Sequence, residues 1–393
     1  MNVLVCNAGS TSLKFKLYNM PEERILAEGK IECIGSFDNA IFHYFCSNRK
    51  EKVLLYKQDI ATYSQGILLF LDYLLDKDFG VLKDITQIER IGFKTVLAKG
   101  YYGVHELTPE VLAAMEECIV IAPAHNKPYL EAINHFQMIL PDVMLVGVFE
   151  TAFHTTIPME RRLYGIPYEW YKEYGIQRFG YHGASHSYIS SVISEKEGNT
   201  GKLISCHLGG SGSLCAIDNG ISVDNSFGFS LQTGIIHANR IGDTDPYLFP
   251  FLLSQGKSMD EIMEGMDKRG GLFGLSGISN DLRDIELAAA QGDIRAKLTL
   301  DVYCHQILQY IGAYFIELGG LNHIVFTGGI GENSVLLRDA ICNKLSHIGV
   351  ELDEENEISQ KGDRIISSAQ SKVKVWVIPT NEELVVARET CSI

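Results

Sequence analysis

Residues 3–15 (VLVCNAGSTSLKF) and residues 203–216 (LISCHLGGSGSLCA) follow one pattern, half a chain apart. Each has an apolar run ending in a cysteine (Cys6, Cys206), then a polar residue (Asn7, His207), then a glycine two positions on. A turn of small residues follows, and a leucine opens the return run. Each reads as a strand, a turn and a returning strand. A hairpin needs only two turn residues, so the surplus of Gly, Ser and Thr asks for a ligand. A β-β-α order follows both stretches. Such a duplication predicts two similar lobes across a cleft, joined near residues 150–160. The length agrees, because 393 residues exceed one ordinary core.

The apolar patterning supplies the remaining elements. Residues 24–34 read as a third strand, 64–77 and 109–119 as helices, and 143–149 as a buried parallel strand. In the second half, 202–207 is a strand and Asp218-Asn219-Gly220 a hairpin turn. Residues 297–318 form a long helix, NHIVFT a strand entering a Gly-rich turn, and VKVWVIP a strand before a helix. The net charge of −15 argues against nucleic-acid or anionic-membrane partners, although a local basic pocket is compatible with it. No run approaches the roughly 20 apolar residues of a membrane helix, and no signal peptide is visible. Nine cysteines without a Cys-x-x-Cys pair point to buried free thiols in a reducing, cytoplasmic setting.

Three Gly-rich turns follow strands: 8–12, 208–213 and 327–334. Such turns offer backbone N–H groups to anions. None fits the Walker or dinucleotide pattern, yet together they point to a polyphosphate. Glu150 and Glu382 end strands beside such turns, which suits Mg²⁺; both positions equally suit helix starts. The cationic candidates are Lys14, Lys94, Arg178, His182, His207 and Arg240. His182 and His186 have the spacing of a metal pair, but no third ligand is indicated. Arg240 either neutralises a moving phosphoryl group or forms a salt bridge with Asp243 or Asp245.

Taken in order, NAGSTSLKFKLY, VFETAFHTTIP, RFGYHGASHSYI, HLGGSGS, SVDNSFGFS, NRIGDTDP, FTGGIGENS and VIPTNEELVVARET resemble the acetate kinase family, the acetate and propionate kinases. The resemblance covers essentially the whole chain. It implies an α/β, two-lobed actin/Hsp70/sugar-kinase (ribonuclease H-like) fold with a duplicated βββαβαβα core and an interlobe active-site cleft. The lobes would be 1–151, with about 383–393 packing back on it, and 152–382. It also implies a homodimer, and Mg²⁺-dependent phosphoryl transfer between ATP and a short-chain carboxylate, with Mn²⁺ as an alternative ion.

Carried over by motif, Asn7 and Glu382 would place the metal, and Lys14 would meet the phosphates. His182 and Arg240, with Glu150 and His125, would be catalytic. Nucleotide contacts would come from His207, Leu208, Gly209, Gly210 and Ser211, from Asp281, Leu282 and Arg283, and from Gly329, Ile330, Gly331, Glu332 and Asn333. The substrate pocket would be lined by Lys94, Val96, Ala124, Tyr181 and Leu231. A carboxylate is already ionised at neutral pH, so positioning and charge neutralisation are the whole mechanism.

Departures from the family pattern concentrate at the acid. Lys94 stands where the family has an arginine, and an ammonium lacks a planar bidentate grip. Glu150 replaces an aspartate, Gly210 replaces an asparagine, Ala124 replaces a leucine and Leu231 a proline. These changes leave open a different acid, a different phosphoryl donor such as pyrophosphate, an acyl-phosphatase, or a nucleotide-binding regulator without kinase activity. In the simplest reading Lys94 and Glu150 compensate each other.

Overall fold

The computed structural model describes residues 1–9, 11–36, 38–49, 52–353 and 362–393, all but Ala124 with their side chains. The chain divides into two compact units, Met1–Ala152 with Asn381–Ile393, and Phe153–Thr380.

In the first unit the strands are β1 (Asn2–Gly9), β2 (Ser12–Asn19), β3 (Arg24–Glu32), β4 (Ala40–Cys46), β5 (Val53–Gln58), β6 (Arg90–Phe93), β7 (Val104–Glu106) and β8 (Met144–Val148). They form one sheet in the order β5-β4-β3-β2-β1-β6-β8-β7. β1 to β5 pair antiparallel, whereas β6 is parallel to both β1 and β8. Alternation in β2 buries Leu13, Phe15 and Leu17 while Lys14 stays exposed, because helices cover only one face there. Phe15 stacks on Phe70 of helix Tyr63–Leu75 at 4.4 Å and meets Phe136 of helix Pro123–Ile139 edge-on. The run MLVGV of β8 has no polar face, since helix Glu382–Thr390 packs on β1, β6 and β8 from the far side. Gly92 permits that approach: a Cβ there would lie 2.2 Å from Thr390 Oγ1.

The second unit contains β9 (Lys202–His207), β10 (Ser213–Asp218), β11 (Ile221–Asn225), β12 (His323–Thr327), β13 (Arg364–Ile365) and β14 (Lys374–Val377), in the order β11-β10-β9-β12-β14-β13. The series β3-β2-β1-β6-β8 and β11-β10-β9-β12-β14 match strand for strand, with the same parallel and antiparallel senses. The sequence duplication is therefore a duplication of topology. The two hairpin tips differ, however. Pairing in the first continues to Gly9 and Ser12, while in the second it stops at His207 and Ser213. Residues 208–212 are thus left as an open loop. Ser10 lies outside the described residues.

Helix Ile294–Leu318 begins three residues before the expected 297, because Asp293 caps it by accepting from Ala296 N at 2.8 Å. All nine cysteines are free; six are buried, but Cys33 is exposed. Among the described residues no helix is long and apolar enough to cross a membrane.

On β11, burial and the neighbouring Glu317 push the Asp224 carboxyl up to about 7, against the pull of Arg178 and Arg161. An acid raised in the folded state contributes stability that is full below its unfolded value of ~3.9 and is lost as pH rises through the folded value. Asp224→Asn is therefore expected to raise the melting temperature at pH 8 and to change it little at pH 4. A thermal melt series across that range checks this; an equal effect at both ends contradicts it.

Candidate active site

Strands β1, β6 and β8 are parallel, so their carboxyl ends lie on one side of the sheet. Asn7 is near the end of β1, Lys94 directly follows β6, and Glu150 follows β8 by two residues. Glu382, expected at the end of the second lobe, falls in the first unit as the first residue of its last helix. Lys94 Nζ lies 3.3 Å from Glu150 Oε1 and bonds Glu382 Oε2 more closely still. The three side chains are only 19%, 5% and 14% exposed. Burial opposes the lysine's charge, but the two carboxylates outweigh it and hold Lys94 well above its ordinary value. Lys94 is thus a fixed cation between two fixed anions.

Asn7 Oδ1 accepts a hydrogen bond from Tyr129 OH at 2.8 Å. Tyr129 is buried on helix Pro123–Ile139. No local motif marks it in the sequence. His125 opens the same helix and is half-buried, Val96 is buried, and the Ala124 side chain lies outside the described residues. Lys14 stands directly opposite Asn7 in the hairpin. Its side chain lines a groove of about 360 Å³ with Lys16, Lys30 and Lys52.

In the second unit the open loop at 208–212 is held by its backbone. Leu208 N donates to Thr327 O, while Leu208 O accepts from the N–H groups of Ile330 and Gly331. Only glycine fits at 328, where φ is 76° and a Cβ would lie 2.7 Å from the Leu208 carbonyl oxygen. This contact presses two of the Gly-rich turns together. Gly209, Gly210, Asp281, Leu282, Arg283, Gly329, Ile330 and Asn333 line one cavity of about 560 Å³, joined by Ala238, Asn280, Glu286 and Ser334. That volume suits a nucleotide-sized ligand. Asp281 caps helix Leu282–Ala290 and accepts from the Arg283 guanidinium, which holds its carboxyl down to about 2. Five expected nucleotide residues of this unit do not line the cavity. Leu208 and Gly331 are buried behind it; His207, Ser211 and Glu332 lie beside it.

Ser211 instead accepts from Arg240 Nη2 at 2.5 Å, and Arg240 Nη1 donates to Leu231 O at 2.7 Å. The carbonyl of Leu231, rather than its side chain alone, therefore bears on the site. Asp243 accepts from Gly234 N and Tyr310 OH, and Asp245 from Tyr247 N. The salt bridge considered for Arg240 is not what these aspartates form. Burial lowers the guanidinium to about 10, partly offset by Asp267, so it remains charged at neutral pH. His182 precedes helix Gly183–Glu197 with left-handed backbone (φ 58°), a strained state for a residue with a side chain. Its ring stacks on His207 at 4.1 Å, and its Nδ1 meets Ser213 Oγ at 2.9 Å. His207 Nδ1 in turn meets Ser185 Oγ at 2.8 Å. Tyr181 is buried and donates its hydroxyl to Phe229 O. No cluster of three or more His, Cys, Asp or Glu suited to a metal occurs among the described residues, so His182 and His186 are not part of one.

Residues 2–388 match the model of the acetokinase family. The chain is 41% identical to an acetate kinase of Clostridioides difficile, over 99% of both chains. It is 42% identical to one of Clostridium botulinum, over 99% of this chain and 98% of the other. Its fold superposes on the crystal structure of Porphyromonas gingivalis acetate kinase with a TM-score of 0.89 at 36% identity, covering 100% and 99% of the two chains. For a propionate kinase from Francisella tularensis the TM-score is 0.91 at 32% identity, with the same coverage. With its α/β sheets, glycine-walled cavity and ordered motifs matched end to end, the chain belongs to the acetokinase family.

Proposed function

We propose that this protein catalyses reversible phosphoryl transfer between ATP and a short-chain carboxylate, acetate or propionate, yielding an acyl phosphate and ADP. The observation that carries the reading is in the second unit: a glycine-walled cavity whose bordering loop leads Ser211 to Arg240 and Ser213 to His182. Arg240 supplies positive charge, and Arg240 and His182 both supply N–H donors, to a transferring phosphoryl group. The glycine backbones and the helix capped by Asp281 hold the nucleotide. Because the acceptor carboxylate is already ionised, no residue needs to remove a proton.

Lys94 neutralises the substrate carboxylate, and Glu150 with Glu382 keeps that ammonium protonated and still. In the first unit Val96 and His125 serve the substrate carboxylate with Lys94; in the second, Tyr181 and Leu231 adjoin His182 and Arg240. Mg²⁺ fits the donor set, since Asn7 Oδ1 and the Glu382 carboxylate are hard oxygens, and Mn²⁺ accepts the same ligands. When bound, the ion neutralises phosphate charge. The Lys94–Glu150 ion pair favours compensation between the two departures over a new acid. A cytoplasmic homodimer completes the proposal.

A hydroxamate assay with ATP, GTP and pyrophosphate against acids of one to five carbons tests it. The expected product is acyl phosphate from ATP with acetate or propionate. No acyl phosphate from any pair defeats the kinase reading and leaves the nucleotide-binding regulator. A four- or five-carbon acid outpacing acetate would replace the substrate assignment.

A further inference from the structure

His186 has no part in the proposed chemistry, yet it is fully buried and joined to His182 through one hydroxyl. Ser213 Oγ lies 2.9 Å from His182 Nδ1 and 2.9 Å from His186 Nε2. On its other side His186 Nδ1 lies 2.9 Å from Ser205 Oγ. Ser205 comes from β9, Ser213 from β10 and His186 from the first turns of helix Gly183–Glu197. Neither serine side chain has access to water.

A serine hydroxyl carries one hydrogen. Between two ring nitrogens it donates to one and accepts from the N–H of the other. His182 Nδ1 and His186 Nε2 are therefore in opposite states: one bears a proton and the other does not. His186 is kept neutral by burial and by the neighbouring His154 and His207 rings, so it has a single N–H. When that proton is on Nε2, Ser205 donates to His186 Nδ1 and Ser213 donates to His182 Nδ1. His182 then carries its proton on Nε2. In the reverse polarity His182 Nδ1 holds the proton, and a neutral ring shows a bare lone pair at Nε2. A lone pair repels phosphoryl oxygens; an N–H attracts them.

We propose that His186, acting through Ser213, is a positioning residue that fixes the proton of His182 on Nε2 and so presents a hydrogen-bond donor to the transferring phosphoryl group. The role assigned to the donor rests on the kinase reading; the proton arrangement does not. The second hydrogen bond of a histidine sets its tautomer, and here that bond is shared with another histidine. Stacking on His207, itself held by Ser185, keeps the ring plane fixed while the hydroxyl fixes the proton.

The test uses long-range ¹H–¹⁵N spectra of the full-length, nucleotide-free protein labelled at histidine. The expected result is an unprotonated Nδ1 and a protonated Nε2 on both His182 and His186. A protonated Nδ1 on either neutral ring overturns the proposal before any variant is made. Ser213→Ala should blur the His182 tautomer and lower kcat by about 10- to 100-fold, with KM for ATP changed less than about threefold. His186→Gln retains a donor toward Ser213 and an acceptor toward Ser205, so it should keep most of the native kcat, whereas His186→Leu should lose about as much as Ser213→Ala. Ser213→Ala with native tautomer and native kcat sinks the idea. Absence of acyl phosphate formation by the native protein would instead count against the kinase reading, with the spectrum still deciding the proton arrangement.

Discussion

Arg240→Ala is expected to lower kcat by about 10³-fold or more while nucleotide affinity changes only a few-fold, because arginines that neutralise a moving phosphoryl group typically contribute on this scale. The guanidinium is half-buried and fixed at both ends of its fork, by Leu231 O and Ser211 Oγ. A cation held this way requires little reorganisation as charge develops, and its partial desolvation strengthens the interaction. Its charge is secure, since burial lowers it only to about 10. Lysine at this position should recover little, having one ammonium in place of two divergent N–H directions. Steady-state kinetics with calorimetric titration of ADP separates the two effects. A variant that loses ADP binding while keeping its turnover at saturation would contradict the role.

Lys94→Met is expected to cost stability as well as turnover. In the native protein one ammonium satisfies two carboxylates, each with little exposure. Removing it takes away the one ammonium that Glu150 and Glu382 share. Breaking a buried ion pair from one side costs about 3–5 kcal/mol. For a unit of this size that corresponds to a fall of roughly 10 °C in melting temperature. The pH dependence carries the sign. Lys94 is raised above its unfolded value, so its contribution is full at neutral pH and is lost only when pH climbs through that raised value. In the variant, two close carboxylates push one of themselves toward protonation. Its deficit should therefore shrink between pH 8 and pH 5. Lys94→Arg should keep most of the stability. A melting temperature for Lys94→Met equal to native at pH 8 would show that the carboxylates find another partner.

These two predictions draw unequally on the sequence. Arg240 was visible as a candidate from NRIGDTDP alone, although its neighbours Asp243 and Asp245 allowed a salt bridge instead. The cation could be named, but not what it touches. The Lys94 triad was less visible. Compensation between Lys94 and Glu150 is readable from the two departures, whereas Glu382 reads locally as a metal ligand and its sequence shows no sign that it meets Lys94. It is 288 residues from Lys94, and only the return of the last helix onto β1, β6 and β8 brings them together. The nucleotide residues divided similarly. Gly209, Gly210, Asp281, Leu282, Arg283, Gly329, Ile330 and Asn333 meet around one cavity, whereas His207, Leu208, Ser211, Gly331 and Glu332 do not line it and Lys14 lies along a groove of the first sheet.

What the chain determined by itself were the features written in contiguous residues. Strand and turn patterns, the doubled hairpin and the glycine-rich turns depend on backbone propensity and side-chain alternation, which act over a few positions. They were enough for two sheets of the same topology and for an anion-binding character. Tertiary structure alone decided which side chain meets which. Tyr129 with Asn7, Lys94 with Glu382, and Ser213 between His182 and His186 are set by strand register and by the docking of helices from distant segments. A shift of one residue in register would turn Ser213 to the other face and leave every local pattern unchanged. Hydrogen bonds and ion pairs act over about 3 Å, a precision that local propensity does not carry.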